Sequence, residues 1–434
     1  MKKSLLAAAV VLAAASVSGC GTGGTSGEQG QQSAAVPGDK PVELVFTGIP
    51  ITEEEFQEQF GKPIREKYPH ISTKYIVPGK GTELKDLVAA GTIPDVYMTA
   101  RVNLPMFLDL KLGQNLDEWI KKYNFDLNRL EPNAVQAMRD MTADQMVFGI
   151  PYQNASLGYV LYYNKDIFDK FGVPYPKDGM TWDETYELAK RLTRVEDGVQ
   201  IRGLSANWSN IFVINNQLSL LALDGNDKAV INTDSWKMVF NNVKRFYEIP
   251  GNHVTKDTLS DQIQERDFLT GTVAMTVGGG AAAAADKAIN FDYVALPTYP
   301  EAPGMGTKTS GRYLLPTSTS KHKEDVFKAI TVITSDEFQM NASKDGRATA
   351  LQNKEIQKAY MQNNPKLKDK NNFAYFYNKS ASAPKINPEL IGINEFHFAA
   401  GELSKVILGE SDVATALRTA DEKLNQAVEA KKKQ

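Results

Sequence analysis

The feature that most constrains the fold is an alternation of strand-like and helix-like segments between residues 42 and 98. Residues 42–46 alternate and then become apolar, as a half-buried strand does, and Thr52 with Glu55 forms a capping box that begins a helix. Two further strands are predicted at 75–77 and 95–98, with a second helix between them. Strands that alternate with helices indicate parallel βαβ units, so the chain is predicted to be an α/β protein.

The rest of the chain continues this pattern. Strands are predicted at 147–151 and 157–163 with a joining loop at 152–156, and a helix is predicted at 211–222. The C-terminal part is predicted to be mainly helical, with helices at 388–408 and 412–431. With 434 residues the chain has material for two to three domains.

Composition excludes several classes of protein. Lys and Arg total 49 against 52 Asp and Glu, a net charge of −3, which is not the charge of a basic nucleic-acid binder. Aromatic residues make up 9% of the chain, which is too many for a disordered polyanion. The single cysteine, Cys20, excludes an internal disulfide framework, and the four histidines show no metal-ligand spacing. We predict no metal, no cofactor and no nucleic-acid partner.

The N-terminus predicts the compartment. Residues 1–19 have a positive start followed by an apolar run, as in a secretory signal peptide, and the run is short for a membrane span. The segment 17–20 resembles a bacterial lipobox, in which Cys20 is diacylated after cleavage; a plain membrane anchor is the alternative. Residues 20–40 are rich in Gly, Ser and Gln and predict a flexible tether. The protein is expected at the extracellular face of the cytoplasmic membrane as a lipid-anchored monomer.

Several short segments, taken in order, carry a family resemblance. They are Ile93-Pro94-Asp95-Val96, Gly149-Ile150-Pro151-Tyr152, Tyr162 to Phe168, Phe171-Gly172-Val173-Pro174, Met180 to Glu184, Phe268 to Met275, Val294 to Thr298 and Thr334 to Gln339. Together they closely resemble bacterial extracellular solute-binding proteins of family 1, the maltose-binding-protein-like carbohydrate receptors of ABC importers. The residues of three of these segments, Tyr162 to Phe168, Phe171 to Pro174 and Met180 to Glu184, are expected to build the fold rather than to touch ligand.

The resemblance implies a periplasmic-binding-protein-like fold, with two α/β lobes and a ligand cleft between them. Hinge strands would join the lobes. The first lobe would comprise residues 41–152 and 314–346, and the second 153–313 and 347–434. The implied function is capture of a carbohydrate, an oligosaccharide in particular, and its delivery to the permease subunits of an ABC importer. The lobes would close on the ligand, and no catalysis is implied.

Candidate ligand-binding residues follow from the strand-end loops and from the resemblance. A sugar site needs amides, carboxylates or Arg for hydroxyls and aromatic rings for the sugar faces. The candidates are Thr47, Thr99, Arg101, Asn103, Tyr152, Gln153, Asn154, Ser156, Trp208, Gly278, Gly279, Arg312, Tyr313, Asn394 and Phe396. Each has a structural alternative: Trp208 packs in a lobe, Arg101 is a solvated surface residue, and Gly278 with Gly279 forms a turn. The family's maltose receptor has a sugar-binding carboxylate where this chain has Leu157 and a tryptophan where it has Thr99, which argues against maltose itself.

Three other functions stay open at this point. A receptor for a peptide, a polyamine or a phosphate ester would share the fold. A secreted glycosidase or lyase would need a pair of carboxylates, and the many acidic residues allow one. A surface adhesion lipoprotein would need neither closure nor an importer.

Overall fold

The computed structural model describes residues 40–156, 159–278, 285–287, 289–308, 310–382, 387, 390 and 392–433. The predicted signal peptide, Cys20, nearly all of the tether and Gly279 lie outside these residues. Within the described residues, no helix combines the length and apolarity needed to cross a bilayer.

The first lobe is built on a five-stranded mixed sheet in the order β2-β1-β3-β11-β4. Strand β1 runs parallel to β2 and β3, whereas β11 is antiparallel to both β3 and β4. Its strands are β1 (Val42–Thr47), β2 (Ile71–Ile76), β3 (Val96–Ala100), β4 (Ile150–Ser156) and β11 (Ser310–Pro316).

The second lobe has a five-stranded sheet in the order β6-β7-β8-β5-β9. Strands β7 and β8 are parallel, and β5 lies antiparallel between β8 and β9. Its strands are β5 (Val160–Asn164), β6 (Arg194–Glu196), β7 (Val199–Ala206), β8 (Val273–Gly278) and β9 (Phe291–Ala295). A separate two-stranded sheet pairs β10 (Met305–Lys308) with β12 (Lys379–Ala381).

Helices surround both sheets. In the part of the first lobe before β4 they are α1 (Glu53–Phe56), α2 (Lys62–Lys67), α3 (Leu84–Ala89), α4 (Leu104–Asp109), α5 (Asp117–Lys122) and α6 (Pro132–Arg139). Between β5 and β8 they are α7 (Lys165–Phe171), α8 (Trp182–Leu192), α9 (Asp234–Tyr247) and α10 (Asp261–Phe268). After these come α11 (Lys323–Ile333), α12 (Asp336–Lys344), α13 (Lys354–Lys358), α14 (Ala374–Tyr377), α15 (Glu395–Ile407) and α16 (Val413–Lys432).

The helix starts follow the sequence signals. The Thr52 amide donates to Glu55 Oε2 at 2.7 Å, and the Glu55 amide donates to Thr52 Oγ1 at 3.1 Å, which completes the predicted capping box. At the start of α7 the Asn164 side chain accepts two backbone N–H bonds, and the helix ends at Gly172 with a φ of 61°. Glycine is favoured there because other residues pay a steric cost in the left-handed region.

Two large hydrophobic clusters occupy the two lobes. The first draws buried side chains from Leu44 to Tyr152 and from Tyr313 to Ile356, and the second from Leu161 to Tyr299 and from Leu390 to Val428. The predicted fold class, two α/β lobes of the periplasmic-binding-protein kind, is confirmed. The exact boundaries of the lobes stay a prediction, since Leu351 and Ile356 pack in the first cluster although they follow residue 346.

Two predicted elements were wrong. The predicted loop at 152–156 belongs to strand β4, because Gln153 pairs with Arg312 and Asn154 with Gly311. The predicted helix at 211–222 is instead a π-helical segment, Ser209–Ile214. The Asn216 side chain donates to the Val213 carbonyl at 3.1 Å and accepts from the Leu220 amide at 2.7 Å, so it takes the place of helical backbone bonds.

The C-terminal helix predicted at 388–408 begins later than expected. The structure has it as α15, which begins at Glu395 and ends at Ile407.

Close packing of α8 on β7 generates a stability prediction. A Cβ on Gly203 would lie 2.1 Å from the Ala189 carbonyl oxygen, a backbone atom that cannot move aside. Gly203→Ala should therefore lower the free energy of unfolding by about 1–3 kcal/mol, as overpacked cores do. Urea unfolding followed by circular dichroism measures this.

The matched control is Gly401→Ala, since that glycine lies in α15 with open space around its Cβ position. There the better helix former should raise stability by up to about 1 kcal/mol. Equal effects of the two substitutions would contradict the packing account.

Candidate functional site

Strand ends of the first lobe form one side of the candidate site. Thr47 ends β1 and Thr99 lies near the end of β3, on the edge where parallel strands present their carboxyl ends. The Thr47 hydroxyl donates to the Ile76 carbonyl at 2.6 Å, and Asn103 Nδ2 donates to Thr99 Oγ1 at 2.8 Å. Both threonines are buried, so these hydroxyls fix the loops of this edge.

Arg101 follows β3 and carries charge to this edge. Burial lowers the pKa of Arg101, while the phenol of Tyr313 and the carboxylates of Asp140 and Glu395 act in the opposite direction. Glu395 begins α15 of the second lobe. The charge of Arg101 in the first lobe and the charge of Glu395 in the second therefore act on one another, beside strands β4 and β11, which join the lobes.

A polar cluster occupies the facing edge of the second lobe. We call it the strand-end cluster; its members are Tyr159, Asn207, Ser209, Asn210, Asp261 and Glu265. They gather where β7 and β8 end and β5 begins, as the pairing of Val160 with Gly278 shows. The chain enters β5 directly after β4 leaves the first lobe, so this edge lies next to the crossing.

Hydrogen bonds join the members of the strand-end cluster. Asn207 Nδ2 donates to Glu265 Oε1 at 3.0 Å, and Asn210 Nδ2 donates to Asn207 Oδ1 at 2.8 Å. The Ser209 amide donates to Asp261 Oδ1 at 3.2 Å, and its hydroxyl donates to Asp261 Oδ2. The amides and carboxylates are thus held in place while they stay partly exposed, which suits them to bind hydroxyl groups.

Gly278 allows α10 to approach the end of β8. A Cβ at this position would lie 2.8 Å from Glu265 Oε1. The lack of a side chain therefore lets the carboxylate of Glu265 reach the sheet edge, a close approach for which glycine is suited.

Burial and charge perturb the ionisable groups of the cluster. Burial raises the pKa of Asp261, the bonds from Ser209 oppose that rise, and the nearby charge of Glu265 adds to it. Burial, with the charges of Glu265 and Asp261, raises the pKa of Tyr159 to about 12. The phenol therefore remains a hydrogen-bond donor at neutral pH, beside two carboxylate acceptors.

The match to a family model decides the identity. A model of the bacterial extracellular solute-binding proteins matches residues 49–340, which is well over half of the chain. The chain belongs to this family. The predicted family membership is confirmed, and the family consists of solute-binding proteins that act outside the cytoplasm.

Solved structures share the fold of this solute-binding protein. A sugar transporter from Rhizobium etli in an open conformation is 17% identical, with a TM-score of 0.71 and coverage of 90% of this chain and 99% of that chain. An ABC substrate-binding protein from Listeria monocytogenes, solved with cycloalternan, is 20% identical, with a TM-score of 0.67 and coverage of 90% and 100%. These likenesses show the two-lobed fold.

Sequence relatives match shorter stretches. A multiple sugar-binding protein from Streptococcus mutans is 29% identical over 170 residues, 39% of this chain and 37% of that protein. An sn-glycerol-3-phosphate-binding periplasmic protein from Brucella abortus is 33% identical over 86 residues, 20% of this chain and 18% of that protein. The solute-binding protein therefore spans well under half the length of the curated relatives that it matches.

The structure brings part of the predicted set to the facing edges. These residues are Thr47, Thr99, Arg101, Asn103, Gln153, Asn154, Gly278 and Arg312. Gln153 and Arg312 are partners on the crossing strands β4 and β11. Ser156 also ends β4, and its side chain lies outside the described residues, as does the whole of Gly279.

The four predicted aromatic residues, Tyr152, Trp208, Tyr313 and Phe396, lie in the cores of the lobes. Tyr152 packs edge-on to Phe60, and the Tyr313 hydroxyl donates to the Ala134 carbonyl at 2.9 Å. The Trp208 indole N–H donates to the Leu259 carbonyl at 2.8 Å, and the Trp208 side chain is 7% exposed. These placements favour the packing alternative.

The two candidates at the start of α15 have different surroundings. Phe396 is buried and its ring lies 6.3 Å from that of Trp236. Asn394 is exposed, and its Nδ2 lies 3.1 Å from His397 Nε2.

Sequence reasoning missed the two carboxylates of the strand-end cluster. Asp261 and Glu265 are four residues apart on α10, which puts them on one face of the helix. That spacing, in the helix before a strand that ends in Gly278, is the signal that identifies them.

The buried position of Trp208 generates a prediction. Trp208→Phe removes the N–H donor and leaves the Leu259 carbonyl without this bond, so the free energy of unfolding should fall by about 1–3 kcal/mol. Chemical unfolding measures the loss. Affinity for a bound solute, measured by calorimetry below the unfolding transition, should change less than threefold. A large loss of affinity without loss of stability would instead assign Trp208 to ligand stacking.

Proposed function

We propose that this solute-binding protein captures a carbohydrate, an oligosaccharide in particular, and delivers it to an ABC importer without altering it. The observation that carries the proposal is the strand-end cluster. It presents two carboxylates, two amides and a phenol at the edge where the lobes meet. Several hydroxyls on a rigid ring would satisfy such a set of fixed acceptors and donors.

The comparisons support a sugar as the solute. The Streptococcus mutans relative is a multiple sugar-binding protein, and the Listeria monocytogenes structure holds cycloalternan. On the first lobe we propose that Arg101, Asn103 and Arg312 face the ligand, with Gln153 and Asn154 on the crossing strand. On the second lobe we propose the strand-end cluster and the backbone near Gly278. Closure of the lobes around the sugar would be the signal that the permease subunits recognise.

The proposed site is tested by substitution of Glu265. In the proposed site the carboxylate of Glu265 accepts hydrogen bonds from Asn207 and from a ligand hydroxyl. Glu265→Gln removes its negative charge, so affinity for the bound sugar should fall about tenfold to a hundredfold. Calorimetry against a panel of mono- and oligosaccharides identifies the sugar and measures the loss. Chromatography of the recovered sugar should show it unchanged, and small-angle scattering should show a more compact protein when it is bound.

The matched control is Glu248→Gln. That carboxylate pairs with Lys244 on the surface of the same lobe and is 59% exposed, so its loss should leave affinity within twofold. Tight binding of a peptide or polyamine with no response to any sugar would overturn the proposal. Cleavage of the sugar would instead favour a glycosidase or lyase.

We also propose that the protein is a monomer held at the outer face of the cytoplasmic membrane by two acyl chains on Cys20. Each buried CH₂ contributes about 0.8 kcal/mol, and two chains suffice for stable anchoring. Cys20→Ser should therefore release the protein into the medium, whereas Ser33→Ala in the tether should leave it with the membrane fraction. Cell fractionation with immunoblotting measures this distribution. Retention of the Cys20→Ser protein would favour a plain N-terminal membrane anchor.

A further inference from the structure

Lys308 is a buried cation at the junction of the lobes. It ends β10, and the chain enters β11 of the first lobe two residues later. Its side chain is 9% exposed, and its ammonium nitrogen lies 4.3 Å from the centroid of the Phe396 ring. Among the described residues, no side-chain hydrogen bond or ion pair involves this nitrogen, and the nitrogen is not one of the fully buried polar atoms that lack a partner, so part of it stays in contact with solvent.

The charges around Lys308 leave it without full compensation. Burial and, to a smaller extent, the positive charge of Arg101 lower the pKa of Lys308 to about 8, against the opposite effect of the carboxylate of Glu395. Arg101 comes from the first lobe and faces Asp140 and Glu395 as well. Lys308 and Arg101, cations of different lobes, therefore both interact with the carboxylate of Glu395. A buried ammonium in such a place is costly unless an anion joins it.

The cation–π contact alone does not remove that cost. An aromatic face attracts a cation by about 0.5–2 kcal/mol, whereas an ammonium in an apolar environment loses considerably more when it leaves water. A charge-assisted hydrogen bond to an anionic oxygen would supply both the missing acceptor and the missing countercharge. Lys308 thus has the surroundings of a group that receives its partner from the ligand.

We propose that the cleft accepts a carbohydrate bearing an anionic group, and that Lys308 and Arg101 together bind that group at the lobe junction. This inference rests on the proposed function, because it assigns the class of sugar to the same site. The strand-end cluster, with Asp261 and Glu265, binds the hydroxyls, while the junction binds the anion. A carboxylate, a sulfate or a phosphate on the sugar has the required chemistry.

Paired ligands that differ only in the anionic group test this. Digalacturonate is compared with galactobiose of the same linkage, glucuronate with glucose, and a sulfated and a phosphorylated sugar with their neutral parents. Calorimetry should show at least one acidic member binding tenfold or more tightly than its neutral partner. The member that binds best tells whether the anion is carboxylate, sulfate or phosphate.

Substitution of Lys308 separates recognition from structural packing. Lys308→Met should lower the ratio of acidic to neutral affinity at least tenfold, whereas Lys308→Arg should keep most of it. The matched control is Lys370→Met. The Lys370 ammonium also lies over a phenylalanine ring, 4.7 Å from the centroid of Phe291. Phe291 is the first residue of β9 and pairs with Asn164, at the end of the sheet remote from the crossing, so the ratio of acidic to neutral affinity should stay constant. Thermal unfolding of each variant verifies that it is folded.

The pH dependence supplies a second readout. As pH rises from 7 to 9, Lys308 loses its proton, so affinity for the acidic sugar should fall several-fold in the natural protein and stay constant in Lys308→Arg. The other charged groups that face Lys308 among the described residues are Arg101, whose pKa burial lowers, and Glu395, whose pKa burial raises. Both are present in Lys308→Arg, so the comparison of the two proteins separates the titration of Lys308 from any contribution of these groups.

Each outcome decides between the two proposals. Equal or tighter binding of the neutral sugars overturns the anion site and leaves the proposed function standing. An equal loss of acidic and neutral affinity in Lys308→Met assigns Lys308 a structural role and also overturns it. Failure of every sugar, acidic or neutral, overturns both proposals.

Discussion

The pairing of β11 with both β3 and β4 is the constraint on which the rest of the structure depends. Residues 310–316 follow all five strands of the second sheet in the sequence, yet they belong to the first sheet. There they lie between β3 and β4, two strands from much earlier in the chain. Because β4 leaves and β11 enters side by side, the two lobes are tied at one edge. The strand ends of both sheets are thereby directed toward the same space, which is where the polar residues gather.

Local signals in the sequence were enough to predict the class of fold. The capping box at Thr52 and the apolar strands at 42–46 and 95–98 depend on contacts within a few residues, and the structure has them within two residues of the predicted positions. Elements that depend on distant partners were harder to predict. A loop was predicted at residues 152–156 because their own sequence does not show the partner strand, which lies more than 150 positions later in the chain. The stretch after Ile214 has helical apolar spacing, but Asn216 redirects the backbone with its side chain.

The candidate site was predictable only in part, for a related reason. Thr47, Thr99 and Arg101 could be named because the ends of parallel strands follow from the βαβ order. The strand-end cluster could not, because Asp261 acquires its position from Ser209, more than fifty residues earlier in the sequence. For the aromatic residues, polar neighbours in the sequence did not indicate whether the ring is buried. Trp208 has polar neighbours in sequence, yet its ring is buried and its N–H bonds to the Leu259 carbonyl, a partner that no local pattern specifies.

The groups that sequence patterns missed are also those whose burial is costly. Asp261 keeps its carboxylate in a place where burial raises its pKa, and Lys308 keeps its ammonium beside a second cation. The position of Lys308 is not explained by the stability of the ligand-free protein, because a neutral or apolar side chain would avoid this cost. The carboxylate of Asp261, by contrast, is held by bonds from the Ser209 amide and hydroxyl. A ligand that binds only the folded protein stabilises it by RT ln(1 + [L]/Kd), which can offset several kcal/mol at high occupancy. The uncompensated charge of Lys308 at the lobe junction is therefore in accord with our proposal that an anionic group of the solute binds there.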